Sequence, residues 1–146
     1  MLQSQILFSS NFVKSINYWL FKASFNMKNK TLVLGASTNP GRYSYLAVQR
    51  LLNFGHEVVA IGRSTGSVFG IQIENEPVQF EEIDTVTLYL NPQHQKQYYD
   101  YVISLNPRRV IFNPGTENPE FVQILKEKGI LTEEACTLVL LGTNQY

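Results

Sequence analysis

The stretch Thr31-Leu-Val-Leu-Gly35-Ala-Ser-Thr-Asn-Pro-Gly41-Arg-Tyr-Ser44 decides the fold class. Its first five residues form a short apolar run ending in glycine. Such a run reads as a strand buried on both faces, which has no polar side to alternate with. Ala36 to Gly41 is dense in turn formers. A helix is expected from about Arg42 to Phe54, with Leu46, Ala47, Leu51 and Phe54 on its buried face and Gly55 as its stop. Glu57 to Ile61 is a second apolar strand, ending in Gly62-Arg63. Strand, loop, helix and strand of these lengths make a βαβ unit with a right-handed crossover.

The alternation continues downstream. Ser64 to Pro77 reads as a loop containing a short strand at Gly70–Ile73. Asp84 to Leu90 is a strand closed by Asn91-Pro92, and Gln93 to Leu105 a helix with Tyr98, Tyr101, Val102 and Leu105 on one face. Arg109–Phe112 is a strand followed by Asn113-Pro114-Gly115. Asn118-Pro119 opens a helix to about Lys128, with Phe121, Val122 and Leu125 as its apolar stripe; proline is tolerated at that first turn. Ile130-Leu131 is a short last strand, and Glu133 to Leu141 fits a helix or a strand equally well. The expected architecture is α/β: a Rossmann-like, doubly wound parallel sheet of about five strands in three αβα layers.

Composition agrees with one such domain. The chain has 146 residues, 44% hydrophobic and 16% charged, with twelve basic against twelve acidic residues. A chain of zero net charge lacks the electrostatic footprint of a nucleic-acid binder. One cysteine allows no intrachain disulfide and suits a reducing compartment. No apolar run approaches the roughly 20 residues that span a bilayer. A soluble, cytoplasmic protein is expected, with no nucleic acid or membrane as partner.

Residues 1–26 differ from the remainder. They hold the sole Trp, Trp19, two lysines, and no acidic residue, glycine or proline, leaving ten basic against twelve acidic residues downstream. Neither a secretory nor a transit signal is matched, because the start is uncharged and arginine is missing. We expect residues 1–26 to be an extension outside the core and residues 27–146 to be the domain. A short helix packed on the domain and a targeting segment are the alternatives.

In doubly wound sheets ligands bind beyond the carboxyl ends of the strands. Four such ends are readable: Gly35-Ala36-Ser37, Gly62-Arg63-Ser64, Leu90-Asn91-Pro92 and Asn113-Pro114-Gly115. The first is the most informative. Gly35 permits a sharp turn after the strand, and a helix start presents free N–H groups and a positive dipole end to an anion. Ser37, Thr38, Asn39 and Ser44 add donors, and Arg42 adds a cation. Pyrophosphate is the ligand class this chemistry suits. Neither a G-x-x-x-x-G-K-[ST] loop nor a G-x-G-x-x-G fingerprint is present. Nicotinamide enzymes place an acid about 20 residues beyond the glycine loop to hold the ribose hydroxyls. Here that strand ends at Gly62-Arg63, and arginine pairs with a ribose phosphate instead, as in coenzyme A or NADP.

No catalytic constellation is legible. His56 follows a helix end and has a structural role there; His94 sits at a helix start, facing solvent. No metal-ligand spacing exists with one Cys and two His. There is no G-x-S-x-G elbow. Glu81-Glu82, Asp84 and Glu133-Glu134 read as caps and solvated faces, and Cys136 as a buried, inert thiol. These absences favour a binding module over a self-sufficient enzyme.

Three segments carry a resemblance: TLVLGASTNPGRYS (31–44), NPGTEN (113–118) and EACTLVLL (134–141). Together they resemble the small stand-alone CoA-binding domain proteins, themselves similar to the N-terminal domain of the succinyl-CoA synthetase α subunit. The resemblance covers about residues 28–146. It implies coenzyme A or acyl-CoA as the cofactor, with pyrophosphate and pantetheine across Gly35, Ala36, Ser37, Asn39, Arg42 and Ser44. It implies the adenosine phosphate at Gly62, Arg63 and Ser64, and further cover from Leu90, Asn91, Pro92, Asn113, Pro114 and Gly115. The family often has Asn-Pro where this chain has Gly62-Arg63. The synthetase's phosphorylated histidine belongs to a second domain that these residues do not include, so ligase activity does not carry over. Two rival readings share the phosphate logic. One is an NADP-binding oxidoreductase or redox sensor, with Tyr43 or Tyr45 as proton donor. The other is the CoA-binding subunit of a split acyl-CoA ligase, docked on a partner chain; a homo-oligomer is also compatible.

Overall fold

The computed structural model describes residues 29–146. The extension expected over residues 1–26 lies outside them. Strand β1 (Thr31–Ala36) leads to helix α1 (Tyr43–Asn53) and strand β2 (Val58–Gly62). A hairpin follows, β3 (Gly66–Val68) and β4 (Ile71–Glu74), and then β5 (Thr85–Leu88). Next come the single turn α2 (Pro92–Gln95), a 3-10 turn (Lys96–Tyr98) and α3 (Tyr99–Leu105). Strand β6 (Arg109–Phe112), helix α4 (Pro119–Glu127), strand β7 (Leu131–Glu134) and helix α5 (Thr137–Gly142) complete the chain.

The sheet has seven strands rather than about five, in the order β3-β4-β2-β1-β5-β6-β7. Every pairing is parallel except β3 with β4. Of the β3–β4 hairpin, β4 falls on the short strand expected at Gly70–Ile73, and β3 is hidden in what reads as a loop. The hairpin's two-residue turn places Phe69 at φ 50 and Gly70 at φ 79, the positive pair that matches the twist of a tight hairpin. Phenylalanine is not a residue the sequence would nominate for that conformation. Its ring is held against Tyr45, centroids 4.9 Å apart.

Both sheet faces are covered, which explains the apolar runs. Leu32, Leu34, Val86, Leu88, Val110 and Phe112 pack with Val102 and Leu105 of α3 and Phe121 and Leu125 of α4. Val33, Ala36, Val58 and Ala60 pack on the other side with Val48 and Leu51 of α1 and Leu141 of α5. Alternate residues of β1 thus feed opposite cores, as the two-residue period of a strand requires.

Two helical expectations change. The buried face of α1 is Ser44, Ala47, Val48 and Leu51, whereas Leu46 and Phe54 stand exposed at 36% and 43%. The single helix expected over 93–105 is broken by the 3-10 turn. Its apolar stripe begins only at Tyr98, so the first turn has no hydrophobic face to hold it in register with the rest. The undecided segment 133–141 is both alternatives in succession. It supplies the end of β7, half-exposed at the sheet edge, and then α5, whose N-cap is a half-buried rather than buried Cys136.

Candidate functional site

The carboxyl ends of β2, β1, β5 and β6 are neighbours, and with strands about 4.8 Å apart they span about 14 Å. A cleft of about 710 Å³ lies along them. It runs from Arg63 and Ser64, past the β1 loop, to Pro114, Gly115 and Thr116. Among the described residues, no carboxylate lines it.

The β1 loop is built by its own side chains. Asn39 N–H donates to Ser37 Oγ at 3.1 Å, Gly41 N–H to Asn39 Oδ1 at 2.9 Å and Arg42 N–H to the Asn39 carbonyl at 3.0 Å. Asn39, read as a ligand donor, is therefore occupied in shaping the loop and is not among the cleft residues. Gly35, Ala36, Ser37, Arg42 and Ser44 do line the cleft. Gly35 has φ 101, and a Cβ there would stand 2.8 Å from the Tyr89 carbonyl carbon. Only glycine lets the β1 and β5 loops meet this closely.

Helix α1 starts in the cleft without a cap. Its N-cap is Arg42, whose side chain makes no capping bond, and its first turn holds no acidic residue. Ser44 is 3% exposed yet lines the cleft, and its hydroxyl has no partner among the described residues. An uncapped helix start with a serine hydroxyl beside it has the donors and the dipole that an anion requires. Arg42 and Arg63 form no ion pair among the described residues, while Arg108 and Arg109 are paired with Asp84 and Glu133.

Gly62 and Asn113 serve architecture instead of the cleft. A Cβ on Gly62 would collide with the Ala36 carbonyl, at the point where the β1–β2 register shifts. The Asn113 amide donates to Thr87 Oγ1 at 2.6 Å and to the Leu88 carbonyl at 2.9 Å, and its Oδ1 accepts from Thr137 N–H at 2.9 Å. Pro92 opens α2 behind Asn91, whose Oδ1 accepts from His94 N–H at 3.0 Å. Leu90 and Asn91 reach the cleft, but Pro92 does not.

Thr38, expected as a donor of the loop, also lines the cleft, and four further lining residues are not foreseen as ligands: Tyr43, Tyr89, His94 and Thr116. Tyr43 lies between two foreseen ones, so adjacency alone was a signal for it. Tyr45 turns instead to Phe69. Tyr89 Oη is buried with no hydrogen-bond partner among the described residues. Burial pushes its phenol well above the ordinary range, with the nearby Thr137 and Thr87 hydroxyls offsetting a part. Beneath the cleft, Gln95 is fully buried and ties the β5 and β6 loops together. Its Nε2 donates to the Leu90 carbonyl at 2.8 Å and the Thr116 carbonyl at 2.7 Å, and its Oε1 accepts from Asn118 Nδ2 at 3.0 Å. A polar residue within a polar run carries no sequence signal for such a role.

The sequence matches the CoA binding domain family over residues 29–142. The chain belongs to that family. A crystal structure of an uncharacterized protein is 51% identical, with a TM-score of 0.80, 82% of this chain and 99% of the other being covered. A Thermus thermophilus protein (22% identity, TM-score 0.73, 88% and 98% covered) shares the fold. So does a hypothetical protein of Pyrococcus horikoshii OT3 (22% identity, TM-score 0.72, 78% and 82% covered). No curated protein is significantly similar to the chain. The expected Rossmann-like α/β architecture is the one observed, with seven strands rather than about five. Among the described residues, no helix is long and apolar enough to cross a membrane, and no group of His, Cys, Asp and Glu could hold a metal ion.

Proposed function

We propose that this CoA-binding-domain protein holds coenzyme A or an acyl-CoA across the carboxyl ends of β2, β1, β5 and β6. One observation carries the reading. Among the described residues, two guanidiniums without ion pairs, Arg42 and Arg63, flank an uncapped helix start in a cleft that no carboxylate lines. Coenzyme A presents anions to match. Its pyrophosphate suits the start of α1, with Arg42, Ser44 and the backbone N–H groups as donors. Its ribose 3′-phosphate suits Arg63, and its pantetheine arm then runs towards Leu90, Pro114 and Thr116.

The lining supplies cations, hydroxyls and backbone amides, which bind and orient. We read the chain as presenting or sensing the cofactor, alone or docked on a partner chain. The test is a thermal-shift panel on the full chain with coenzyme A, acetyl-CoA, dephospho-CoA, NADPH, NADH and ATP. Ligand at 100 times Kd adds about 2.7 kcal/mol of stability. The account expects the largest shift with coenzyme A or acetyl-CoA and a smaller one with dephospho-CoA. A shift with NADPH alone would replace it by the oxidoreductase reading.

A further inference from the structure

We propose that Tyr43 is the platform on which the adenine ring of the cofactor lies. The inference rests on the coenzyme A reading above and assigns a residue that the reading does not use. Tyr43 lines the cleft, yet it is 72% exposed, the most exposed large hydrophobic residue described. Its ring pairs with no other aromatic ring among the described residues, although Tyr45, two positions on, is paired with Phe69. It is the first residue of α1, between Arg42 and Ser44, which both face the anion site.

Placement decides what the ring meets. Helix α1 packs on β1 and β2, whose ends meet where Ala36 pairs with Gly62. The start of α1 therefore stands on the Arg63 side of the cleft, away from Thr116 and the β6 loop. The part of coenzyme A bound between the pyrophosphate at α1 and the 3′-phosphate at Arg63 is the ribose, which carries the adenine. Adenine is the one planar π-surface of the molecule, and a tyrosine ring left in solvent beside it gains by stacking. Base–aromatic contacts of this kind are tolerant of ring identity and are lost on truncation to alanine.

The experiment measures affinity of the full chain, of Tyr43→Ala and of Tyr43→Trp for three ligands. These are coenzyme A, adenosine 3′,5′-bisphosphate and 4′-phosphopantetheine. Tyr43→Ala is expected to weaken coenzyme A and the bisphosphate by about tenfold. It should leave 4′-phosphopantetheine unchanged, and Tyr43→Trp should retain wild-type affinity for all three. Melting temperatures should be equal across the variants, the side chain being exposed. Equal coenzyme A affinity in wild type and Tyr43→Ala would overturn the platform and leave the coenzyme A reading standing. A loss on 4′-phosphopantetheine would also overturn it, by moving the ring to the other arm. No binding of coenzyme A by the wild type would overturn both.

Discussion

A Cβ on Gly35 would stand 2.8 Å from the carbonyl carbon of Tyr89, because the β1 and β5 loops cross in direct backbone contact at the floor of the cleft. Gly35 also sits at φ 101, where a side chain is strained. Gly35→Ala should therefore cost about 2–4 kcal/mol, combining the conformational penalty with a contact that backbone must move to relieve. Urea unfolding measures it. A loss below about 1 kcal/mol would mean the two loops separate easily.

Asn113 holds three elements with one side chain. Its bonds to Thr87, Leu88 and Thr137 are all buried. Asn113→Ala strands buried donors and acceptors, and about 3 kcal/mol of stability should go with it. The variant is compared with Ser37→Ala, at the cleft surface, which should lose less than about 1 kcal/mol. Similar losses in the two would contradict the architectural role of Asn113.

Arg63→Glu replaces an unpaired cation at the cleft by an anion. Coenzyme A affinity should drop by about tenfold or more, since charge-assisted hydrogen bonds to phosphate become repulsions. Affinity for dephospho-CoA should fall much less. Titrating both ligands into both proteins checks this, and equal losses would show that Arg63 does not meet the 3′-phosphate.

Alkaline pH should loosen the α3 side. Burial raises the Tyr101 phenol from 10.0 to about 12, with Tyr98 as a smaller cause, and its hydroxyl donates to the Val78 carbonyl. The folded state thus favours the neutral phenol. The associated stability is fully present below pH 10 and is lost as pH rises through about 12. Tyr101→Phe should show a shallower fall in urea midpoint over that window than the wild type does. Parallel profiles would remove Tyr101 from the alkaline transition.

How far the sequence could be read follows from what each residue type reports. The apolar run of β1 and the turn formers of its loop announce a strand and a βα turn, and the helix start at Asn118-Pro119 is a cap in fact, Asn118 Oδ1 accepting from Phe121 N–H at 3.1 Å. Of the β3–β4 hairpin, β4 is legible as a short strand, whereas β3 is not, because the turn that pairs the two uses Phe69 at positive φ. The buried face of α1 differs from the apolar pattern because Ser44, a polar residue, occupies one of its positions. Gly62 and Asn113 belong to the foreseen strand ends and Asn39 to the first loop, but their observed contacts are to the scaffold, which only the structure reports. Gln95, which couples the β5 and β6 loops, looks like any surface glutamine in one dimension.

The most direct test of the central claim is calorimetric titration of coenzyme A into the full chain and into its Arg42→Glu, Arg63→Glu double variant. The account predicts saturable binding at one cofactor per chain, lost in the double variant while its melting temperature holds. Binding that survives the double charge reversal, or a wild type that takes up no coenzyme A, would contradict it.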